Sequence, residues 1–143
     1  MTPLPNYRPK KMSLGSLETE ILEIIWQLGK VTVKDVHDRI LADPNRELAY
    51  TSVTTVLRRL TNKGWLICQK QEKKGRAFQW EAKISRQQAQ ALKAYEHLHD
   101  FLAVGNAEVV ASFADHLDIA SVEQIEAIAA KLKAIRRQRK EGS

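Results

Sequence analysis

A single cysteine, Cys68, occurs in the 143 residues. That excludes an internal disulfide and any multi-thiolate zinc site within one chain. Aromatic residues are also scarce, but an apolar fraction of 43% is ordinary for a folded domain, so the chain is not expected to be disordered. No apolar run approaches the roughly 18 residues that a membrane span needs, and the N-terminus shows no signal-peptide apolar segment. A cytoplasmic location with no membrane partner is the expectation. Missing too are a glycine-rich phosphate loop, a Ser/His/Asp constellation and a pair of acids at workable spacing, which argues against an enzyme and gives no cofactor to expect. The histidines offer little more. His97 and His99 differ by about 200° around a helix and cannot chelate together, which leaves only a site across subunits through His116. No metal is expected.

What the chain does have is positive charge in one place. Residues 46–83 hold nine basic side chains (Arg46, Arg58, Arg59, Lys63, Lys70, Lys73, Lys74, Arg76, Lys83) against three acids, an excess equal to the whole net charge of +6. Residues 84–143 balance at eight of each. Concentrated positive charge suits a polyanion, because neutralising phosphates releases condensed counterions.

Three parts follow from the order of signals. Residues 1–13 carry three prolines with Arg8, Lys10 and Lys11, and read as a flexible basic arm. Residues 14–84 read as three helices and a hairpin. Ser16 is a candidate cap for the first helix, whose stripe is Leu17, Ile21, Ile24, Ile25 and Leu28. Thr32 caps a second helix through Val33, Val36, Ile40 and Leu41, stopped before Pro44. A third helix runs from Tyr50 to Lys63 and is closed by Gly64. The strands are expected at 65–69 and 77–81, joined by a basic tip. Residues 85–140 read as helical: Ser85 opens a long helix ending near Gly105, Asn106 opens a shorter one, and Ser121 with Gln124 suggests a capping box for the last. The fold class is therefore mainly α with a small β-hairpin, a winged helix-turn-helix followed by a helical dimerisation region.

The third helix decides the functional reading. Val53, Val56, Leu57 and Leu60 fall within a sector of about 100°, while Thr51, Thr55, Arg58 and Asn62 occupy about 60° on the opposite side with Thr54 on the flank. Solvated helix faces normally favour Glu and Lys. Hydroxyls, an arginine fork and an amide instead match phosphate oxygens and base edges in a major groove. No acid lies between Tyr50 and Lys63. The competing reading is that the hydroxyls bond back to their own backbone. Lys73, Lys74 and Arg76 at the hairpin tip suit a wing on adjacent DNA, and Gly75 suits the turn.

Over residues 17–26 (LETEILEIIW), 48–65 (LAYTSVTTVLRRLTNKGW) and 75–80 (GRAFQW) the chain resembles the BlaI/MecI/CopY family of winged-helix repressors, known as penicillinase repressors. The likeness covers about 16–137. It implies a homodimer with interlocked C-terminal helices, each third helix reading half of a palindromic operator in double-stranded DNA. By position, Tyr50, Thr51, Ser52, Thr54 and Thr55 meet DNA, and Arg76 lies on the wing. The paired C-terminal cysteines of copper-sensing members are absent here. The asparagine before the cleaved bond of β-lactam-responsive members is also absent; Ser112-Phe113 is the nearest match. Neither signal of the family carries over intact, and Cys68, inside an apolar run, is expected to be buried rather than a thiol sensor.

A monomer showing Tyr95, Leu98, Phe101, Leu102, Ile125, Ile128, Leu132 and Ile135 would present a sticky patch, which dimerisation removes. It would also set two recognition helices about 34 Å apart, or a small multiple of that. Two rival readings remain: a winged-helix protein-interaction module without DNA binding, and a transcriptional activator on the same fold.

Overall fold

Glutamate, not serine, fixes where the first helix begins. The computed structural model describes residues 6–70 and 78–142. In it α1 (Ser16–Leu28) takes Gly15 as its N-cap, one residue before the expected Ser16. Glu18 reaches back to accept from the Gly15 amide at 2.8 Å, and Thr19 donates both its amide and its hydroxyl to the Gly15 carbonyl. α2 (Val33–Leu41) opens as anticipated: Thr32 and Asp35 cap one another's amides at 3.2 and 2.9 Å. α3 (Tyr50–Lys63) ends at Gly64, whose φ of +91° is the left-handed conformation that favours glycine there.

β1 (Leu66–Lys70) and β2 (Phe78–Ala82) pair antiparallel, with Cys68 opposite Trp80. Each strand sits one residue later than expected. Trp65 falls outside β1 because its amide donates to Leu60 O, although its carbonyl still accepts from Lys83 N; its ring is wholly buried. Val31 adds a single bridge to Trp80 on the other edge of β2. Lys73, Lys74, Gly75 and Arg76, assigned to the wing tip, lie outside the described residues.

The chain divides into two compact units, Met1–His97 and Leu98–Ser143. In the first, the inner faces of α1, α2 and α3 meet the hairpin in one core: Ile21, Leu22, Ile25, Val31, Val36, Val53, Leu57, Leu60, Trp65 and Leu66 are essentially inaccessible. Each such side chain contributes roughly 1.5–3 kcal/mol by leaving water. Trp26 donates its indole N–H to Ile84 O, pinning the link from β2 to α4 (Arg86–Val104). Ser85 and Gln88 cap that helix reciprocally. Ala89 and Leu92 are buried in the same core, so the first unit runs past residue 84, where the sequence pattern alone had put its end.

The stretch read as a flexible arm is tied down where it is described. Tyr7 donates its hydroxyl to Gly64 O at 2.7 Å, Lys11 N donates to Lys63 O, and the Trp65 indole N–H donates to Lys11 O. Pro9 is buried. Arg8 lies over the Tyr95 ring and 3.6 Å from Glu96. A Cβ at Gly64 would come within 2.7 Å of the Tyr7 hydroxyl, so glycine is needed there for space as well as for φ. The sequence signal of prolines and charge missed this because the anchors are single residues with no period.

The second unit holds the end of α4, then α5 (Ala107–His116) and α6 (Ile119–Glu141). Asn106 caps α5 by accepting from Val109 N at 3.0 Å. The cap of α6 is Asp118 rather than Ser121: its carboxylate accepts from Ser121 N at 2.7 Å, and hydrogen bonding first to the Ser121 side chain and then to its amide holds its pKa below the ordinary aspartate range. Ser121 is therefore inside the first turn. Phe101 and Phe113 meet edge to face at 4.8 Å.

Candidate nucleic-acid interface

Burial of four apolar residues on one side of α3 determines what the other side shows. Val53, Val56, Leu57 and Leu60 enter the core, and Thr51, Thr55, Arg58 and Asn62 are left exposed on the opposite face. Ser52 and Thr54 are half-buried on the flanks, and Tyr50 at the N-terminal end is half-exposed. All seven residues expected on the recognition helix thus lie on one accessible side or its margins.

The N-terminus of α3 carries a free positive end. Ala49 supplies no side-chain cap, and no acid lies in the first turn, so no first-turn carboxylate offsets the helix dipole there. Two contacts fix this end. His37 Nε2 lies 2.8 Å from Leu48 O, and its ring meets Tyr50 edge to face at 5.4 Å. Arg46 makes a two-pronged contact with Glu20, donating at 2.6 and 2.9 Å to the two carboxylate oxygens. The separation of His37 from Tyr50 in the chain hid its positioning role from any local pattern.

The other end of α3 is set by a buried ion pair. Lys63 Nζ donates at 2.9 Å both to Glu18 and to Ser13 O. Burial pushes the Glu18 carboxyl up. The hydrogen bonds from Lys63 and the Gly15 amide, with the charges of Lys63 and Arg59, outweigh that and leave it below the usual glutamate range. Nothing in the local pattern singled out Glu18 beyond a favourable first-turn acid. Charge counting also overstated the basic patch. Arg46 and Lys63 are spent on glutamates, and Lys83 lies over the Tyr7 ring at 4.6 Å.

Two of the threonines make the backbone bonds of the competing reading. Thr54 and Thr55 donate their hydroxyls to the carbonyls of Tyr50 and Thr51, at 3.3 and 2.9 Å. Each then offers a methyl group and oxygen lone pairs outward rather than a free O–H. Such a surface accepts from base amino groups and touches thymine methyls. Arg58 has no ion-pair or hydrogen-bond partner among the described residues, so its fork remains available.

Between α3 and the hairpin lies a groove of about 520 Å³, lined by Thr32, Val33, Tyr50, Thr54, Arg58, Thr61, Asn62, Cys68, Phe78 and Trp80. Cys68 opens onto it and is exposed, contrary to the expectation of burial, because only the start of β1 faces the core. Desolvation raises its thiol pKa, so it stays protonated near neutral pH. Among the described residues no three His, Cys, Asp or Glu side chains converge on a metal site; His116 Nδ1 lies 2.9 Å from Ser112 O.

The residues expected to dimerise are half or more exposed along much of the C-terminal helices. Leu102 is 67% exposed, and Ile125, Ile128 and Leu132 are each 53% exposed. Tyr95 and Leu98 are exposed as well, while Phe101 and Ile135 are intermediate.

This chain is similar to several known proteins. An uncharacterized 16.5 kDa protein from the ptsI 3′ region of Latilactobacillus sakei is 34% identical over 84 residues, 57% of this chain and 54% of that protein. The match thus spans about half the length of that curated relative. Solved structures with low sequence identity include wild-type MarR from E. coli in its apo form (15% identical, covering 85% of this chain and 79% of that one, TM-score 0.45). FabT from Streptococcus pneumoniae in complex with DNA is 14% identical, over 87% of this chain and 77% of its own, with TM-score 0.45. The adhesin competence repressor AdcR from Streptococcus pyogenes is 15% identical, over 85% and 81%, with TM-score 0.44. A family model described as penicillinase repressor matches residues 14–134, which takes in the helices, the hairpin and most of the C-terminal region. The chain is a member of the penicillinase repressor family.

Proposed function

We propose that the protein is a homodimeric repressor that reads a palindromic operator in double-stranded DNA. The observation that carries this is the exposed face of α3, free of acids, with Thr51, Thr55, Arg58 and Asn62 uncovered and an uncapped positive N-terminus. Arg58 is assigned to a base edge or a phosphate. Thr54 and Thr55 are assigned to bases as acceptors and methyl contacts, and Tyr50, Thr51 and Ser52 to the backbone near the helix start. Lys73, Lys74 and Arg76 are assigned to phosphates flanking the major groove. Membership of a repressor family supports this assignment.

Dimerisation supplies the two-fold symmetry that a palindrome requires. The exposed apolar side chains of α4 and α6, from Leu98 to Ile135, are the proposed interface. The protein acts by occupying promoter DNA, with no catalytic step. Among the described residues no helix is long and apolar enough to cross a membrane.

Selection of a duplex from a random pool, followed by titration at near-physiological salt, tests the reading. Arg58→Ala should weaken the selected site by about 1–3 kcal/mol, roughly 5- to 150-fold. Failure of the unmodified protein to prefer any duplex over random competitor would sink the proposal.

A further inference from the structure

The groove between α3 and the hairpin has a feature that the proposed base reading does not use, a set of aromatic walls. Its volume of about 520 Å³ lies within the range of roughly 300–1,000 Å³ typical of small-molecule sites. Its walls are aromatic: Tyr50 and Phe78 are half-exposed, and Trp80 packs beside Phe78 with ring centres 6.2 Å apart.

Its polar groups point to one kind of ligand. Among the described residues Arg58 is the sole charged side chain of the lining, and none of them is an acid. The hydroxyls of Thr54 and Thr61 already donate to carbonyls of their own helix, and the Cys68 thiol is neutral near pH 7. The available donors are therefore led by the Arg58 guanidinium and the Asn62 amide. A lining that donates, carries one positive charge and is walled by rings is complementary to a planar aromatic anion.

We propose that this groove binds a small aromatic carboxylate, its ring between Tyr50 and Phe78 and its carboxylate on Arg58, and that ligand and DNA exclude one another. The exclusion rests on the DNA-reading role of α3, since Arg58, Asn62 and Thr54 belong to both surfaces. The binding itself does not. Phosphate could meet the same donors, but it would leave the aromatic walls without a partner.

The test titrates the full-length protein, without DNA, against benzoate, benzyl alcohol and inorganic phosphate, following tryptophan fluorescence and heat. Benzoate should bind with Kd on the order of 1 mM or tighter. Benzyl alcohol, with the ring but no charge, and phosphate, with charge but no ring, should each bind at least about tenfold more weakly. Phe78→Ala should weaken benzoate by about tenfold while leaving the selected duplex bound as before. No benzoate binding up to about 10 mM, equal binding of phosphate or benzyl alcohol, or unaltered benzoate binding by Phe78→Ala would overturn the site. A separate competition against the selected duplex reads the exclusion. Benzoate that binds without displacing duplex overturns that part alone, whereas absence of any duplex preference overturns the function proposed above and leaves the ligand titration intact.

Discussion

The two units of the chain hide their apolar residues very differently. Met1–His97 encloses eighteen apolar side chains in one core, whereas neither α5 nor α6 in Leu98–Ser143 contains a buried residue. Propensity and caps make helices in both, but only the first unit gains the burial that outweighs chain entropy. The first therefore has what it needs to fold alone, and the second needs a partner surface. The proposed function follows the same division: the side chains assigned to DNA stand on the unit with the packed core, and the assembly that would double them depends on association.

The largest effect should come from breaking the second unit's partner surface. Ile128→Glu with Leu132→Glu would bury two unpaired charges on dimerisation, which costs about 4 kcal/mol or more. Sedimentation should then show a monomer at concentrations where the unmodified protein is dimeric, with the first unit (the head) still folded. In the first unit, Leu57→Ala should lower unfolding stability by about 3 kcal/mol in a urea titration, since the side chain is wholly buried. A wholly buried position on which stability did not depend would remove the contrast drawn between the units.

The ion pair at the foot of α3 gives a pH test. The folded-state pKa of Glu18 lies below its ordinary value of 4.5, so the unfolded chain binds its proton more readily. Its stabilisation is complete above the ordinary pKa and is lost as pH falls through the depressed one. Glu18→Gln should cost about 2 kcal/mol near neutral pH by leaving the mostly buried Lys63 without its counter-charge. The variant should also show a shallower stability loss below about pH 4.5; parallel pH curves would refute the role. The smallest effect should come from Asn106→Ala, which removes the cap of α5 and costs about 1 kcal/mol. That loss should appear in the dimerisation-linked transition and leave the urea midpoint of the head unmoved.

Which features the sequence showed depends on whether they repeat. The stripes of α1, α2 and α3, the glycine stop at Gly64 and the caps Thr32, Ser85 and Asn106 rest on local spacing, and they stand where expected except for Leu28 and Leu41, which end their helices exposed. Ser16 and Ser121 misled because a serine near a helix start resembles a cap, while Glu18 and Asp118 were better placed to accept. The seating of residues 6–13, the burial of Glu18 against Lys63 and the exposure of Cys68 all depend on partners about 45 or more residues away or on which end of a strand faces the core. No local period encodes those. Within the site, the acid-free hydroxyl face of α3 was legible because it is helical. The groove beside it was not, since Tyr50, Cys68 and Phe78 come together only once the hairpin folds over α3.

The bond from Tyr7 to Gly64 joins residues 57 positions apart, and Lys83 closes on Tyr7 across 76. During vectorial synthesis the amino end emerges first yet has nothing to rest on until the turn after α3 has left the ribosome. The Trp65 indole, in turn, waits for Lys11 to supply its acceptor. Completion of the head is thus a long-range closure that comes late in its own translation, and any chain released before residue 83 leaves that clasp unfastened.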